Sequence, residues 1–305
     1  MIYVSEAQSS AIVTPVFAFD TVRQALIAAI APDAASFPVV IAHGSDPQNR
    51  FSIKSAAGSD LAGFKVGAYF PTNDANGLPR HASTIMLIDQ STGKIGALVE
   101  GSAMNCYRTA AANAVATDAL ARADAQVLTL FGTGHQAAYE VEAIARIRPL
   151  TQILVVGREV ARTATFVDAL VAKGLPAEAA DPEVAVRKAD IIVTATTATA
   201  PLFDASWVRP GTHISSMGSD SVGKQELPPR LFETARLFCD LPDQSARIGE
   251  FQHASTDAAL IAIGAVLSGQ SAGRLRDQDI TIFDSSGVSL QDLYMAKAIL
   301  DLVKS

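Results

Sequence analysis

Apolar positions along this chain keep two different spacings, and the places where one gives way to the other mark its parts. Residues 1–35 open on a short run of β-formers and then repeat apolar side chains at helical spacing, at Val22, Ala25, Leu26 and Ala29, which predicts a strand followed by a helix. From Pro38 the pattern shortens to β segments at 37–42, 50–54, 63–70, 83–89 and 95–100, separated by Gly, Asn, Asp and Pro turns. A meander with no helix between its strands predicts a mostly antiparallel sheet. An Ala-rich helix over 106–121 follows, with Arg108 as its one long cation near the first turn. Beyond it, strands and helices alternate: a strand at 127–131, a helix through Ala137, Ala138, Val141 and Ile144, a strand at 152–156, a helix at 161–173, and strands at 191–194, 212–216 and 237–239. This alternation predicts a parallel, doubly wound sheet with right-handed crossovers. A last strand at 280–283 precedes an amphipathic helix over 290–303, expected to fold back onto the first part.

The expected class is therefore α/β: a Rossmann dinucleotide-binding domain over 121–287, and an α+β domain over 1–120 completed by the C-terminal helix 288–305. Composition agrees with a packed globular chain. Of its 305 residues, 49% are hydrophobic and 18% charged. The net charge of −7 provides no basic face for nucleic acid or anionic lipid. Cys106 and Cys239 stand far apart, without His or Cys at metal-ligand spacing, so neither a disulfide framework nor a metal site is expected. No run reaches transmembrane length and no basic leader precedes an apolar segment, so a cytoplasmic location is expected.

The chemistry starts at QVLTLFGTGHQA, residues 126–137, where a strand runs into Gly132-Thr133-Gly134 and a helix opens at once. Gly132 permits the tight turn. Gly134 lets the backbone approach a pyrophosphate, whose charge sits on the unpaired N–H groups of the helix N-terminus, and Ala137 fills the third small position. Three further ionisable residues lie in unusual settings: Lys65 inside GFKVGAYF, Arg108 in YRTAAANA, and Asp220 in the loop SSMGSDSVGKQEL. Singly, each has a bland explanation, as a snorkelling edge lysine, a solvated arginine at a helix start and a turn former. Together they describe a site in which two cations hold a substrate carboxylate and an acid attends the nitrogen beside the hydride-accepting carbon.

Along nearly its full length the chain resembles the ornithine cyclodeaminase/mu-crystallin family, through FKVGAYFP, the GLP of NGLPRH, TGK, the RTAAA of YRTAAANAVAT, LFGTGHQA, ATTA, the GSD and GKQEL of MGSDSVGKQEL, and IFDSSGVSLQD. The resemblance implies a homodimer whose first domain, with the C-terminal helix, binds substrate and makes the dimer contact, while the middle domain binds NAD(H) or NADP(H). It implies that Lys65 and Arg108 bind the substrate carboxylate, that Asp220, with Lys65, is catalytic, and that Thr133, His135 and Gln136 of the glycine turn and Thr196 of ATTA join the cofactor site. In one place the chain departs from the family. Relatives often carry an arginine shortly after the proline of the second strand segment, whereas Pro38 is followed here by Val39, Val40 and Ile41. Lys54 in FSIKSA is the candidate replacement, with a solvated strand end as the alternative, and His81 after GLPR stands between a substrate contact and a polar loop residue.

Two chemistries fit the family: reduction of the C=N bond of an imino acid, or its reverse, and cyclodeamination of the ornithine type. No second acid whose context suits a distal amine is found, so the reductase is the expected activity, with a non-catalytic crystallin-like binding protein the remaining alternative. Candidate substrates are pyrroline-2-carboxylate, piperideine-2-carboxylate, iminosuccinate, and 2-oxo acids aminated by ammonia. Extra cations at Lys54, Arg80 or His81 favour a second carboxylate. Cofactor choice is read from ILVVGREVAR, where Gly157 and Arg158, with Arg162 one turn on, stand where an NAD site presents an acid. NADP(H) is therefore the expected preference, with NAD(H) also admitted and Glu159 the competing residue.

Overall fold

The structure, a computed structural model, describes residues 1–304. In chain order its first elements are β1 (Ile2–Val4), α1 (Glu6–Ile12), α2 (Pro15–Ala28), β2 (Ala35–Ser36), β3 (Val40–His43), β4 (Arg50–Ala57), β5 (Ala62–Tyr69), β6 (His81–Asp89), β7 (Lys94–Glu100) and α3 (Ser102–Leu120). There follow β8 (Val127–Phe131), α4 (His135–Ile147), β9 (Gln152–Val156), α5 (Val160–Val171), β10 (Ala177–Ala179), α6 (Pro182–Lys188), β11 (Ile191–Thr194) and β12 (His213–Ser216). The chain ends with β13 (Arg236–Cys239), α7 (Pro242–Ile248), β14 (Leu260–Ala262), α8 (Ile263–Leu267), β15 (Thr281–Asp284) and α9 (Ser289–Lys304). It divides into two compact units, one of Met1–Arg108 with the chain from Val288 onward, the other Thr109–Gly287. The division falls inside α3, ahead of the boundary at 120/121 expected from the pattern.

The first unit is built on a seven-stranded sheet in the order β1-β7-β6-β5-β4-β2, with β3 also paired to β4. Its pairs are antiparallel except for β1, which lies parallel to β7. Where one helix is expected over the first 35 residues there are two. Thr14 ends the run by accepting a hydrogen bond from the Phe17 N–H, and Pro15, whose missing N–H costs nothing at a first helical position, starts α2. α9 packs on α2 and across β4, β5 and β6. Its Leu293 packs over Gly63 of β5, where a Cβ would stand 3.1 Å from Leu293 Cδ2 and, on the strand side, 2.3 Å from the Met86 carbonyl oxygen of β6.

Register places Val4, Val99, Ile85, Lys65 and Lys54 in one row across this sheet. Val4, Val99 and Ile85 are fully buried, so Lys65 stands on the core face of an interior strand; a snorkelling edge position is ruled out. α3 begins at Ser102, four residues before the expected start, because the Glu6 carboxylate accepts from the Ser102 and Ala103 N–H groups at 2.7 and 2.9 Å. Arg108 consequently lies in the second turn of the helix.

The second unit carries an eight-stranded, wholly parallel sheet in the order β10-β9-β8-β11-β12-β15-β13-β14. β8, β9 and β11 are mostly apolar, and β11, β12 and β15 are buried along their whole length, because helices cover both faces of such a sheet. The strand order reverses direction at β8, the topological switch point at which ligands bind in open α/β sheets. Among the described residues no single helix is long and apolar enough to cross a membrane; α1 and α2 meet that measure only as a pair bent by 92°.

Candidate active site

In the second unit the loop after β8 has the form a dinucleotide needs. Gly132 takes φ +114°, and a Cβ on it would lie 2.5 Å from the Ala195 carbonyl oxygen, so the fold itself requires glycine there. Gly134 is different. It caps α4 in an ordinary extended conformation, and a Cβ on it would meet no atom of the chain within 4 Å. No side chain caps this end of α4, so the helix N-terminus opens directly behind the glycine turn. Ala137 is fully buried at the third small position. The Gln136 side chain is occupied: it donates to Glu140 Oε1 at 2.7 Å, while Asn113 donates to the other oxygen of that buried carboxylate at 2.8 Å. The residues present therefore fit a dinucleotide pyrophosphate held by backbone.

Gly157, at the end of β9, is required by packing, since a Cβ would fall 2.2 Å from Thr163 Oγ1 and 3.0 Å from Thr133 Cγ2. Arg158, Glu159 and Arg162 beyond it are all exposed, and Glu159 is the N-cap of α5 without a capping hydrogen bond from its side chain. Thr196 follows β11, but its hydroxyl donates to Glu226 Oε1 at 2.7 Å and accepts from the Ala198 N–H at 3.1 Å. Its side chain thus serves the loop. Asp220, exposed in the loop after β12, pairs with Lys224 Nζ at 2.6 Å, and the same ammonium donates to the Gly218 carbonyl at 3.1 Å.

In the first unit the structure brings Lys65 and Arg108 together around a partner that the motif reading did not assign a role, Asp292 of α9. Lys65 Nζ lies 2.8 Å from Asp292 Oδ2 and Arg108 Nε 3.2 Å from Oδ1, with Lys65, Arg108 and Asp292 at 4%, 8% and 1% exposure. Asn105, one turn before Arg108, accepts from Lys65 Nζ at 3.1 Å and from Arg108 Nη2 at 2.8 Å, and Gln291 Oε1 accepts from Arg108 Nη1 at 3.4 Å. Burial lowers the Lys65 pKa to about 7, helped by the charge of Arg108 and opposed by Asp292. Burial works against the Asp292 carboxylate too, yet the charges of Lys65 and Arg108 hold it below the usual carboxylate range. Lys54 is the register partner of Lys65, and its charge acts on both Lys65 and Asp292.

The other two candidate cations are elsewhere. His81 shares the sheet face of Lys65 but pairs with Tyr69, four residues up the ladder or roughly 13 Å away, exposed and with its ring against Tyr69. Arg80 is exposed and ion-paired with Asp74. Asp292 had a visible signal in the SLQD of the last motif, but an acid in the first turn of an amphipathic helix reads equally as a partner of the helix dipole. Asn105 and Gln291 carry no sequence signal of their own.

A parallel sheet with a glycine turn leading into a helix N-terminus defines a dinucleotide-binding fold, and the first unit adds a buried cluster of two cations around one carboxylate. The chain belongs to the ornithine cyclodeaminase/mu-crystallin family, whose model matches residues 19–305. It is 37% identical to an iminosuccinate reductase of Paracoccus denitrificans over 100% of this chain and 97% of that one. The crystal structure of the Paracoccus denitrificans iminosuccinate reductase with NAD⁺ superposes with a TM-score of 0.91 at 36% identity, covering 100% of this chain and 96% of that one. An archaeal alanine dehydrogenase dimer with bound NAD gives 0.91 at 28% identity, over 100% and 97%. Delta(1)-pyrroline-2-carboxylate reductase of Thermococcus litoralis with NADH and L-proline gives 0.87 at 25%, over 99% and 97%. These relatives hold NAD⁺ or NADH and lend no support to the NADPH preference expected from Arg158.

Asp292→Asn keeps the volume of the side chain and leaves Lys65 and Arg108 buried without a counter-charge. At pH 6, below the Lys65 pKa, urea denaturation is expected to show a loss of about 3 to 5 kcal/mol. A variant as stable as the wild type would mean that Asp292 does not hold the cluster.

Proposed function

We propose that the protein is an NAD(P)H-dependent reductase of the C=N bond of imino acids, with a dicarboxylic imine of the iminosuccinate type as its substrate. The observation that carries this reading is the cluster in which Lys65 and Arg108 share a single carboxylate, Asp292. Its excess positive charge, held in a buried setting, is neutralised by an anionic substrate, and a planar guanidinium beside an ammonium suits a carboxylate. Similarity to an iminosuccinate reductase over the whole chain supports two carboxylates on the substrate, and similarity to a pyrroline-2-carboxylate reductase supports the imine.

The nicotinamide of the bound cofactor supplies the hydride for the imine carbon. Gly132, Gly134 and the first-turn N–H groups of α4 hold the pyrophosphate. Lys65 and Arg108 hold the carboxylate next to the reacting carbon, and Lys54 takes the second one. Asp220 stabilises or protonates the nitrogen as the C=N bond becomes an amine, held in place by its ion pair with Lys224. We further assign the homodimer contact to the edge strand β3 and the segment before it, where Phe37, Val40 and Ile41 are 50%, 55% and 62% exposed; the dimeric archaeal relative supports a dimer, and the exposed apolar edge its place. A cytoplasmic setting accords with Cys106 and Cys239 as free thiols.

A panel of iminosuccinate, pyrroline-2-carboxylate, piperideine-2-carboxylate and 2-oxo acids with ammonia, scored by loss of NAD(P)H absorbance, tests the reading. The highest kcat/KM is expected for iminosuccinate. Release of ammonia from ornithine with catalytic NAD⁺, and no reduction across the panel, would replace the reductase by a cyclodeaminase.

The sign of the pH dependence follows from Lys65, which carries its charge below about 7 and loses it above. KM for the anionic substrate is expected to stay flat below that pH and to rise above it, by up to about tenfold per unit. Lys65→Arg keeps the cation charged at every working pH and should abolish the break. A break that survives in this variant belongs to another group.

Cofactor preference rests on Arg158, with Arg162 one turn on. Arg158→Ala is expected to raise KM for NADPH about tenfold, the value of one charge-assisted contact, with KM for NADH unchanged. Equal effects on both cofactors, or none on NADPH, would remove Arg158 from any contact with a 2′-phosphate.

A further inference from the structure

The loops at the carboxyl ends of β11 and β12 are locked to each other, and the lock is a single side chain. Glu226 is fully buried and accepts five hydrogen bonds from the residues that end β11 and β12 and begin the loops after them. Its Oε1 takes the Thr196 N–H and hydroxyl, each at 2.7 Å. Its Oε2 takes the Thr194 hydroxyl at 2.7 Å, the Gly218 N–H at 2.8 Å and the Ser216 hydroxyl at 3.1 Å. The approach leaves no room for a side chain at Gly218, where a Cβ would stand 2.2 Å from the Thr196 carbonyl oxygen and 2.5 Å from Glu226 Oε1. The same Thr196 loop presses on the dinucleotide turn, since a Cβ on Gly132 would meet Ala195 O at 2.5 Å and Thr196 Cγ2 at 3.3 Å.

Backbone bonds complete the assembly: Gln225 N–H donates to Ala198 O at 3.0 Å and Leu202 N–H to Glu226 O at 2.9 Å. Glu226 is itself seated from behind, its own N–H donating to the buried Glu250 carboxylate at 3.0 Å, and the Glu250 N–H donating to Asp284 Oδ1 at 3.0 Å. Ligands of a doubly wound sheet lie across the carboxyl ends of its strands, so these loops border the dinucleotide, and the one after β12 carries Asp220.

We infer that Glu226 is the positioning residue for hydride transfer. By tying the Thr196 and Gly218 loops to one buried carboxylate, it sets the nicotinamide-side wall of the site relative to Asp220. The inference rests on the reductase reading above. Glu226 touches neither cofactor nor substrate; it acts through the Thr196 and Gly218 backbone. A carboxylate suits this position because all five partners are donors, and an amide in its place turns an NH₂ toward at least one of them.

The test uses the full-length protein. Glu226→Gln and Thr194→Val are compared with wild type for NADH affinity by fluorescence, without imine present, and for kcat per NADH-binding site, which discards any misfolded fraction. Glu226→Gln is expected to lower kcat per site about a hundredfold while the NADH Kd stays within about threefold, because small displacements of reacting groups act on the chemical step far more than on binding. Thr194→Val removes one donor to Glu226 without burying a new polar group, and should lower kcat per site by about threefold to tenfold, with Thr194→Ser restoring it. Wild-type kcat per site in Glu226→Gln overturns the inference, as does a loss that appears only as weaker NADH binding. Should Glu226→Gln fail to fold, the Thr194→Val and Thr194→Ser pair decides in the same way. A wild type that binds NADH yet reduces none of the imines overturns the reductase reading and this inference with it, whereas equal turnover of wild type and variants overturns the inference alone.

Discussion

The first unit depends on one buried exchange of charge, the carboxylate of Asp292 between Lys65 and Arg108. Removing such groups from water costs several kcal/mol per ion, and only close opposite charges with further hydrogen bonds offset it. Asp292 meets both cations within 3.2 Å, and Asn105 and Gln291 take up N–H groups that the carboxylate leaves over. The interaction joins β5, α3 and α9, elements far apart in sequence, so the C-terminal helix completes a site that the first hundred residues begin. These ions tie β5, α3 and α9 together, two cations to one carboxylate.

Local capping and close approach then fix where the functional side chains stand. Glu6 accepts from the first N–H groups of α3 and so sets the phase of the helix that presents Asn105 and Arg108. Gly63 lets β5 lie against β6, where a Cβ would fall 2.3 Å from the Met86 carbonyl oxygen, and Leu293 of α9 packs over it. In the second unit the corresponding devices are Gly132 and Gly218, which let neighbouring loops touch backbone to backbone, and Glu226, which gathers the donors those contacts leave unsatisfied.

The strand and helix pattern was readable wherever a segment has one dominant environment. β9 and β11 coincide with the runs predicted for them, because strands covered on both faces are continuously apolar. The helix before α2 and the short strands β10 and β14 were not readable, since each is too brief to show a period. The glycine turn was legible for a related reason: its chemistry is carried by backbone, and backbone conformation depends on residues adjacent in sequence.

Sequence alone determined the α/β class, the glycine turn and the family, and singled out the two cations Lys65 and Arg108, because each is carried by contiguous residues or by motifs with internal spacing. Tertiary structure alone decided what those cations face. Lys65 in GFKVGAYF reads the same on an edge strand as on an interior one, and only the placement of β5 between β4 and β6, beneath α9, buries it and lowers its pKa. His81 and Arg80 have the composition of a second anion site, but register sends one up the ladder to Tyr69 and an ion pair with Asp74 takes the other. Asp292 and Glu226 lie inside recognisable motifs, yet their roles come from donors brought to them from elsewhere in the chain. The physical reason is common to all four: the energy of a buried charge is set by the groups within a few ångströms of it, and those neighbours are chosen by the fold.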